Sequence, residues 1–204
     1  MQPLQPGHVL CRANAAKSQA FGDGHHCEKL GPQLDRRGIV ANWQTPVQPS
    51  NLALPGRSYA EISMIHIQQV HDIVARTLWG EARGEGIAGQ IAVAWVIRNR
   101  VHDTHARSWW GEGYIGVCRK PWQFSCWNLR DPNYPYVSGA CPISPAQLAQ
   151  ALAVAEQVVA GRVADPTDGA THYHAVSLCP PPAWTKGANC TLVLGGHAFF
   201  KGVP

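Results

Sequence analysis

The chain has 204 residues, and 45% of them are apolar, which is enough for the core of one ordinary domain. Its net charge of +4 is too small for a nucleic-acid groove, although it favours an anionic surface such as a bacterial envelope. No apolar run approaches the roughly 20 residues that a membrane-spanning helix needs, so no stable membrane insertion is expected.

Residues 1–63 are expected to be a low-order segment. They are rich in Pro, Gly, Gln and Asn and show no sustained helical or strand period. The first twenty lack the continuous apolar stretch of a secretory signal, so synthesis in the cytoplasm without a signal peptide is expected. Because Met64 stands just before the first clear helical pattern, it is a candidate natural start. An intact Met1 terminus in mass spectrometry of the natively expressed protein would rule this out.

The seven cysteines are an odd number, so at least one stays unpaired within a monomer. Cys118 and Cys126 lie close together in the sequence, as do Cys179 and Cys190, and both pairs fall in loop-like stretches. The sequence leaves two alternatives open for these cysteines: disulfide bonds within the pairs, or free thiols in a reducing cytoplasm.

Residues 64–204 carry the periodic patterns of three helices. The first is expected at about 65–80, and the side chains on its core side are Ile67, Val70, Val74, Thr77 and Leu78. The second is expected at about 87–103 and is apolar around nearly its whole girth, so it is predicted to be the buried central helix.

The third helix has the clearest boundary signals. Ser144 can cap it, Pro145 suits its first turn, and Gln147 would complete a capping box. Gly161 can end it. Its expected core stripe is Leu148, Leu152, Ala155 and Val159. The stretch between the second and third helices is rich in Trp, Gly, Pro and Cys and is predicted to be irregular.

Two short strands are expected after the third helix. They are GATHYHA and TLVLGGHAFF, joined by the Pro-rich loop VSLCPPPAWTKGANC. Helices packed on a small β-hairpin make an α+β domain of about 140 residues, which is an ordinary size for a single core.

The stretch WGEARGEG, at residues 79–86, places two glutamates four positions apart where the first helix ends. Glu81 follows the last turn, between Trp79 and the buried second helix. Apolar surroundings disfavour the charged form of a carboxyl and would keep it protonated near neutral pH. Glycosidic cleavage needs a protonated carboxyl, because the departing sugar oxygen must receive a proton. The alternative is a solvated helix end.

Glu85 is the candidate second carboxylate. If the helix persisted, the four-residue step would bring the two carboxyls onto one face. Gly84 and Gly86 leave that geometry open. The alternative role of Glu85 is an ion pair with Arg83 or Arg98.

The stretch CRKPWQFSCWN crowds aromatic side chains among amides and hydroxyls. The aromatic residues are Trp122, Phe124 and Trp127. Sugar rings lay their flat C–H faces on aromatic rings, while their hydroxyl and acetamido groups need amide-type partners. The stretch therefore predicts a saccharide groove, and the alternative is that these rings pack the loop onto the core.

The histidines of THYH and GGH suggest a rival chemistry. His172 and His174 would point to the same face of a strand, because side chains alternate with period two. With His197 they could supply three zinc ligands and leave a position for water. A zinc-dependent peptidoglycan amidase is therefore a second hypothesis. The alternative is that these histidines hydrogen-bond a substrate or a backbone carbonyl.

From about residue 73 to residue 200 the chain resembles the cell wall hydrolase family typified by the spore cortex-lytic enzyme SleB, especially its short phage and prophage members. Six motifs in order carry the resemblance: ARTLWGEARGEG, AGQIAVAWVIRNRV, GVCRKPWQFSCWN, DGATHYHA, PAW at 182–184, and GGHAFF. The resemblance implies a lysozyme-like or transglycosylase-like helical domain. It would act on peptidoglycan glycan strands, at the β-1,4 bond between N-acetylmuramic acid and N-acetylglucosamine.

The resemblance also implies the site residues. Glu81, the first glutamate of GEA, would be the catalytic acid. In a transglycosylase it would protonate the leaving oxygen and then take a proton from the muramoyl C6 hydroxyl, which closes a 1,6-anhydro ring. The expected substrate-binding side chains are Glu85, Gln123, Phe124, Tyr173, His174, Trp184 and His197. No cofactor or metal is expected for this mechanism.

Taken together, the resemblance implies a monomeric lytic transglycosylase or muramidase. The short architecture suggests a phage endolysin that reaches the periplasm or wall through a holin-like route. Phe199–Phe200 stands where a Tyr is common at the end, and Pro180–Pro182 could alter the groove rim. A glycan-binding module without turnover is the remaining alternative.

Overall fold

The computed structural model describes residues 58–104 and 107–204. Its helices are α1 Tyr59–Ala82, α2 Ile87–His102, α3 Arg107–Trp110, α4 Gly113–Arg119, α5 Tyr134–Val137 and α6 Pro145–Val159. Its strands are β1 His172–Ala175, β2 Asn189–Leu194 and β3 His197–Lys201. Two 3-10 turns lie at Ser125–Trp127 and Ala183–Thr185. Within these ranges no helix is long and apolar enough to cross a bilayer.

Helix α1 begins earlier than predicted, because Ser58 caps it. The Ser58 hydroxyl accepts a hydrogen bond from the N–H of Glu61 at 3.3 Å, and the Glu61 carboxylate accepts one from the N–H of Ser58 at 2.7 Å. The predicted boundary before Met64 therefore falls inside α1. The rest of the predicted low-order segment, up to residue 57, lies outside the described residues.

The core is built where α1, α2 and α6 pack against one another. Its fully buried side chains include Val74, Ala75, Leu78, Ala92, Val93, Val96, Ile97, Ala155 and Val158. Helix α2 packs against α1, α4 and α6, and eight of its 16 residues are buried, in line with its prediction as a buried helix. Ile67 was expected on the core side of α1 but is 46% exposed, because burial of α1 begins only at Val70.

Helix α6 confirms two of its predicted boundary signals. It begins at Pro145, and Gly161 takes the left-handed φ of 68° that ends a helix. The predicted capping box is wrong, since Ser144 makes no side-chain cap bond. Gln147 instead accepts a hydrogen bond from the indole N–H of Trp79 at 2.9 Å. The buried stripe is Ala151, Val154, Ala155 and Val158, so Ala155 is the one member of the predicted stripe that belongs to it.

The stretch predicted to be irregular contains α3, α4, α5 and a 3-10 turn that lies directly on α1. An ideal Cβ atom at Gly80 would be 2.4 Å from the Cβ of Cys126, so only glycine allows this approach. The indole N–H of Trp127 donates to the Thr77 hydroxyl at 2.9 Å and ties the turn to the same helix.

The three strands form one antiparallel sheet in the order β1-β3-β2. The prediction of a single strand for TLVLGGHAFF is wrong, because Gly195–Gly196 is a two-residue turn between β2 and β3. Tyr173 opposes Phe199, and His172 opposes Phe200. Helices packed with a small antiparallel sheet confirm the predicted α+β class.

The sequence left disulfide bonds and free thiols open, and the structure has no disulfide bond between Cys118 and Cys126 or between Cys179 and Cys190. Cys118, Cys126 and Cys190 are free thiols, whereas Cys141 and Cys179 are disulfide-bonded. Burial raises the pKa of the Cys118 thiol to about 12, so this group stays a neutral core side chain.

The close approach at Gly80 gives the first testable prediction. A methyl group in Gly80→Ala would overlap Cys126 and force the 3-10 turn away from α1. Overpacking of this degree costs about 3 kcal/mol, more than the roughly 1 kcal/mol that Ala gains over Gly in a helix. Thermal unfolding should show a lower melting temperature. Gly84→Ala is the matched control, since nothing lies within 4 Å of its Cβ. Equal melting temperatures of the two variants would contradict the prediction.

Candidate active site

Glu81 lies in the last turn of α1, and its half-buried carboxyl accepts three hydrogen bonds. Oε1 accepts from the backbone N–H of Cys126 at 3.0 Å and from the Ser125 hydroxyl at 3.3 Å. Oε2 accepts from the Tyr173 hydroxyl at 3.1 Å. The predicted apolar enclosure is therefore incomplete, because both oxygens meet polar donors. These donors fix the orientation of the carboxyl.

Tyr173 is held against Glu81 by its packing. Its ring lies edge-on to His197, with ring centroids 5.1 Å apart, and it also contacts Phe199 at 5.8 Å. Burial, together with the Glu81 carboxylate, raises the pKa of Tyr173 well above its usual value. The phenol therefore stays protonated and remains a hydrogen-bond donor.

The Glu85 carboxylate is occupied by the β2–β3 hairpin. Oε2 accepts a hydrogen bond from the N–H of Gly196 at 3.1 Å, and Oε1 lies 3.6 Å from Nδ1 of His197. The alternative role of Glu85, an ion pair with Arg83 or Arg98, is not observed. Arg83 donates to carbonyl groups of α1, and Arg98 donates to carbonyl groups of α6.

Arg100 is a site residue that the sequence analysis did not identify. It is 5% exposed, and its Nε donates to the carbonyl of Thr171 at 2.7 Å. Its guanidinium carbon lies 4.9 Å and 5.0 Å from the ring centroids of Trp110 and Phe124. Burial lowers the pKa of Arg100 to about 10, so it remains charged at neutral pH. The available signal was the second arginine of RNRV, on the helix predicted to be buried.

Gln123 and Phe124 support the site from inside the protein. Phe124 is fully buried, so the prediction that it contacts substrate is wrong. Both polar atoms of the Gln123 amide have partners in the protein: Oε1 accepts from Arg100 at 3.2 Å, and Nε2 donates to the carbonyl of Trp110 at 3.1 Å. Arg100 and Gln123 thereby connect α2 to the loop that carries the donors to Glu81.

Only one of the three aromatic residues predicted to line a saccharide groove is exposed. Trp122 is 86% exposed and has a left-handed backbone φ of 68°. Trp127 is tied to α1, as described above. Trp109, which the sequence analysis did not single out, is 69% exposed, and its carbonyl lies 3.4 Å from Nε2 of Gln123. The backbones of two exposed tryptophans therefore lie next to Gln123.

The three histidines of the zinc hypothesis lie on opposite faces of the sheet. His172 and His174 both contact Trp184, with ring centroids 5.1 Å and 5.8 Å away. His197 contacts Tyr173 on the face that meets Glu81. The strand register separates the two sets, so they cannot bind one ion, and the predicted zinc amidase site is wrong. In the described part of the chain, no three His, Cys, Asp or Glu side chains are placed to hold a metal.

Apart from Gln123 and Phe124, the predicted substrate-binding residues fall into two groups. Tyr173, His197 and Glu85 lie in one contact network that reaches Glu81. His174 and Trp184 lie on the other face of the sheet, where His174 stacks on Phe200 at 5.2 Å. The structure does not bring this second group to Glu81.

Residues 84–200, more than half of the chain, match the sequence model of the cell wall hydrolase family. The chain therefore belongs to the cell wall hydrolase family, whose members degrade peptidoglycan, as its motifs implied. The matched range begins three residues after Glu81 and includes Glu85, Arg100 and Tyr173.

Two solved structures resemble the chain. The catalytic domain of SleB from Bacillus cereus has 24% identity and a TM-score of 0.48, over 66% of this chain and 91% of that one. The catalytic domain of the germination-specific lytic transglycosylase SleB from Bacillus anthracis has 25% identity and a TM-score of 0.49, over 72% and 98%. No curated protein sequence matches the chain.

Replacing Arg100 tests the buried support of the site. Arg100→Met removes the guanidinium and leaves the carbonyl of Thr171 and the amide oxygen of Gln123 without their donor. We expect the free energy of unfolding to fall by about 3 kcal/mol. Chemical denaturation would measure this, with Arg162→Met as the control at an exposed arginine. Equal midpoints for the two variants would contradict the supporting role.

Proposed function

We propose that the protein is a lytic transglycosylase that cleaves the β-1,4 bond between N-acetylmuramic acid and N-acetylglucosamine. The observation that carries the proposal is a single carboxyl group, that of Glu81, at which three donors from two layers of the domain converge. The other glutamate of the motif, Glu85, has its carboxylate engaged by the hairpin. One carboxyl is sufficient for a mechanism in which the same group gives a proton and then takes one.

In the first step, protonated Glu81 donates its proton to the glycosidic oxygen while the bond from that oxygen to C1 of muramic acid breaks. Positive charge develops at C1 in an oxocarbenium-like transition state. The N-acetylglucosamine leaves with the transferred proton on its O4 hydroxyl, and Glu81 is left as a carboxylate.

In the second step, the Glu81 carboxylate takes the proton of the C6 hydroxyl of the same muramoyl residue. The O6 atom bonds to C1 and closes the 1,6-anhydro ring, so no water is consumed and Glu81 is protonated again. The N–H of Cys126 and the hydroxyls of Ser125 and Tyr173 hold the carboxylate between the two steps. Such preorganised donors need no rearrangement during the reaction.

The exposed aromatic side chains beside the site suit a glycan substrate. The indoles of Trp109 and Trp122 are exposed, the carbonyl of Trp109 lies 3.4 Å from Nε2 of Gln123, and Trp122 precedes Gln123 in the chain. Gln123 is two residues from Ser125, whose hydroxyl contacts Glu81. A sugar ring can stack on each indole, which would align a glycan strand across the carboxyl.

The biological setting is part of the same proposal. The resemblance to short phage and prophage members of the family supports a monomeric endolysin that reaches the bacterial wall through a holin-like route. Co-expression with a holin should lyse the host, whereas expression alone should not. Equal lysis with and without the holin would contradict this route.

Product analysis tests the reaction type. Mass spectrometry of the fragments released from purified peptidoglycan should show 1,6-anhydro-muramic ends, because the C6 hydroxyl attacks C1 in place of water. A digest by a hydrolytic muramidase is the matched control and gives reducing ends that are heavier by one water. Reducing muramic ends from this protein would contradict transglycosylation. Release of stem peptides alone would identify an amidase and overturn the proposal.

A further inference from the structure

The contact between Glu85 and the β2–β3 turn has no part in the proposed proton transfers. The Glu85 carboxylate accepts the N–H of Gly196 at 3.1 Å and faces Nδ1 of His197 at 3.6 Å. Both side chains are largely buried, with 19% of Glu85 and 13% of His197 exposed. Nδ1 of His197 is buried and makes no hydrogen bond. We refer to Glu85, Gly196 and His197 as the hairpin latch.

The turn is shaped to receive the carboxylate. An ideal Cβ atom at Gly195 would lie 1.9 Å from Oε2 of Glu85, and one at Gly196 would lie 2.8 Å from Oε1. Gly195 also has a left-handed φ of 55°, which glycine adopts without strain. Any side chain at these positions would push the carboxylate off the backbone. A solvated glutamate would not need this clearance, so the fit indicates a specific contact.

The latch leads to Glu81 through two further contacts. The ring of His197 meets the ring of Tyr173 edge-on, at 5.1 Å and an interplanar angle of 84°. The hydroxyl of Tyr173 then donates to Oε2 of Glu81 at 3.1 Å. The two glutamates of WGEARGEG are therefore connected through the sheet. The Glu85 carboxylate binds the turn, and the Glu81 carboxyl accepts the hydrogen bond from the Tyr173 hydroxyl.

We propose that Glu85 is a positioning residue, which fixes the hairpin through Gly196 and His197 so that the Tyr173 hydroxyl stays on Glu81. The inference rests on the proposed function for the role of Glu81. It replaces the predicted substrate-binding role of Glu85 and of His197 with a role inside the protein. Loss of the latch would leave the turn held by its strand pairing and by the hydrogen bond from the N–H of Val176 to the carbonyl of Gly196 at 2.8 Å. The link from the turn to Glu85 would be gone, and the distance between the phenol and the carboxyl would be less firmly fixed.

The amide of Gly196 reports on the latch without any substrate. In the full-length 15N-labelled protein, the hydrogen bond to a carboxylate should move this amide proton downfield and slow its exchange with solvent. Glu85→Ala should remove both effects, whereas Glu85→Gln keeps a carbonyl acceptor and should retain most of the exchange protection. Glu156→Ala, at an exposed glutamate on α6, should change neither. An unchanged Gly196 amide in Glu85→Ala would overturn the latch.

Steady-state kinetics on soluble glycan strands distinguish a positioning role of Glu85 from a substrate-binding role. Glu85→Ala should lower kcat about tenfold or more and change KM less than about threefold, because the contact acts on Glu81 and not on the bound sugar. Glu85→Gln should recover most of the lost kcat. A rise in KM with an unchanged kcat would overturn the proposal and return Glu85 to the substrate-binding surface.

A double-mutant cycle tests whether Glu85 acts through Tyr173. Once Tyr173→Phe has removed the hydroxyl, adding Glu85→Ala should cause little further loss of kcat. If the double variant loses kcat by the product of the two single-variant factors, Glu85 acts independently of Tyr173 and the proposal is overturned. Should Glu85→Ala fail to fold, Gly196→Ala takes its place in the cycle, because it displaces the turn and leaves every ionisable group present. The product analysis could give reducing muramic ends while the Gly196 amide still responds to Glu85→Ala as predicted. That outcome would overturn the proposed function and leave the latch standing.

Discussion

The hydrogen bonds to the Glu81 carboxyl join the helical layer of the domain to its sheet. The N–H of Cys126 reaches one oxygen from a turn that can lie on α1 only because residue 80 is glycine. The hydroxyl of Tyr173 reaches the other oxygen from β1. The site therefore exists only where the two layers meet, and its geometry depends on how firmly the sheet is attached. The Arg100 bond to the carbonyl of Thr171 attaches the sheet from α2, and the Glu85 contact with the hairpin turn adds a second attachment just after α1.

The sequence predicted those parts of the fold that depend on neighbours along the chain. Local periodicity and turn chemistry account for the range of α2, the start of α6 at Pro145, its stop signal at Gly161 and the strand at THYH. The position of Glu81 at a helix end and the family motif both indicated this residue, the family motifs alone indicated Tyr173, and the structure brings the two together. Local patterns succeed here because capping, helical period and strand alternation are decided within a few residues.

The remaining features depend on contacts between residues far apart in sequence. Nothing local shows that the Gln147 side chain binds Trp79 in place of its own helix cap, or that a buried arginine binds the carbonyl of Thr171. The sheet register separates His174 from His197. This register cannot be derived from a prediction that places the Gly-Gly turn inside a single strand. That turn did have a local signal, since a two-residue Gly-Gly connection is typical of a hairpin.

The substitution Glu81→Gln tests the central claim most directly, because an amide can keep the hydrogen bonds from Cys126 and Ser125 but cannot deliver the proton. The account predicts a variant that melts like the parent and releases glycan fragments from purified cell walls at least about 100-fold more slowly. Glu156→Gln, at an exposed position on α6, should retain full activity. Undiminished release by a folded Glu81→Gln variant would contradict the account.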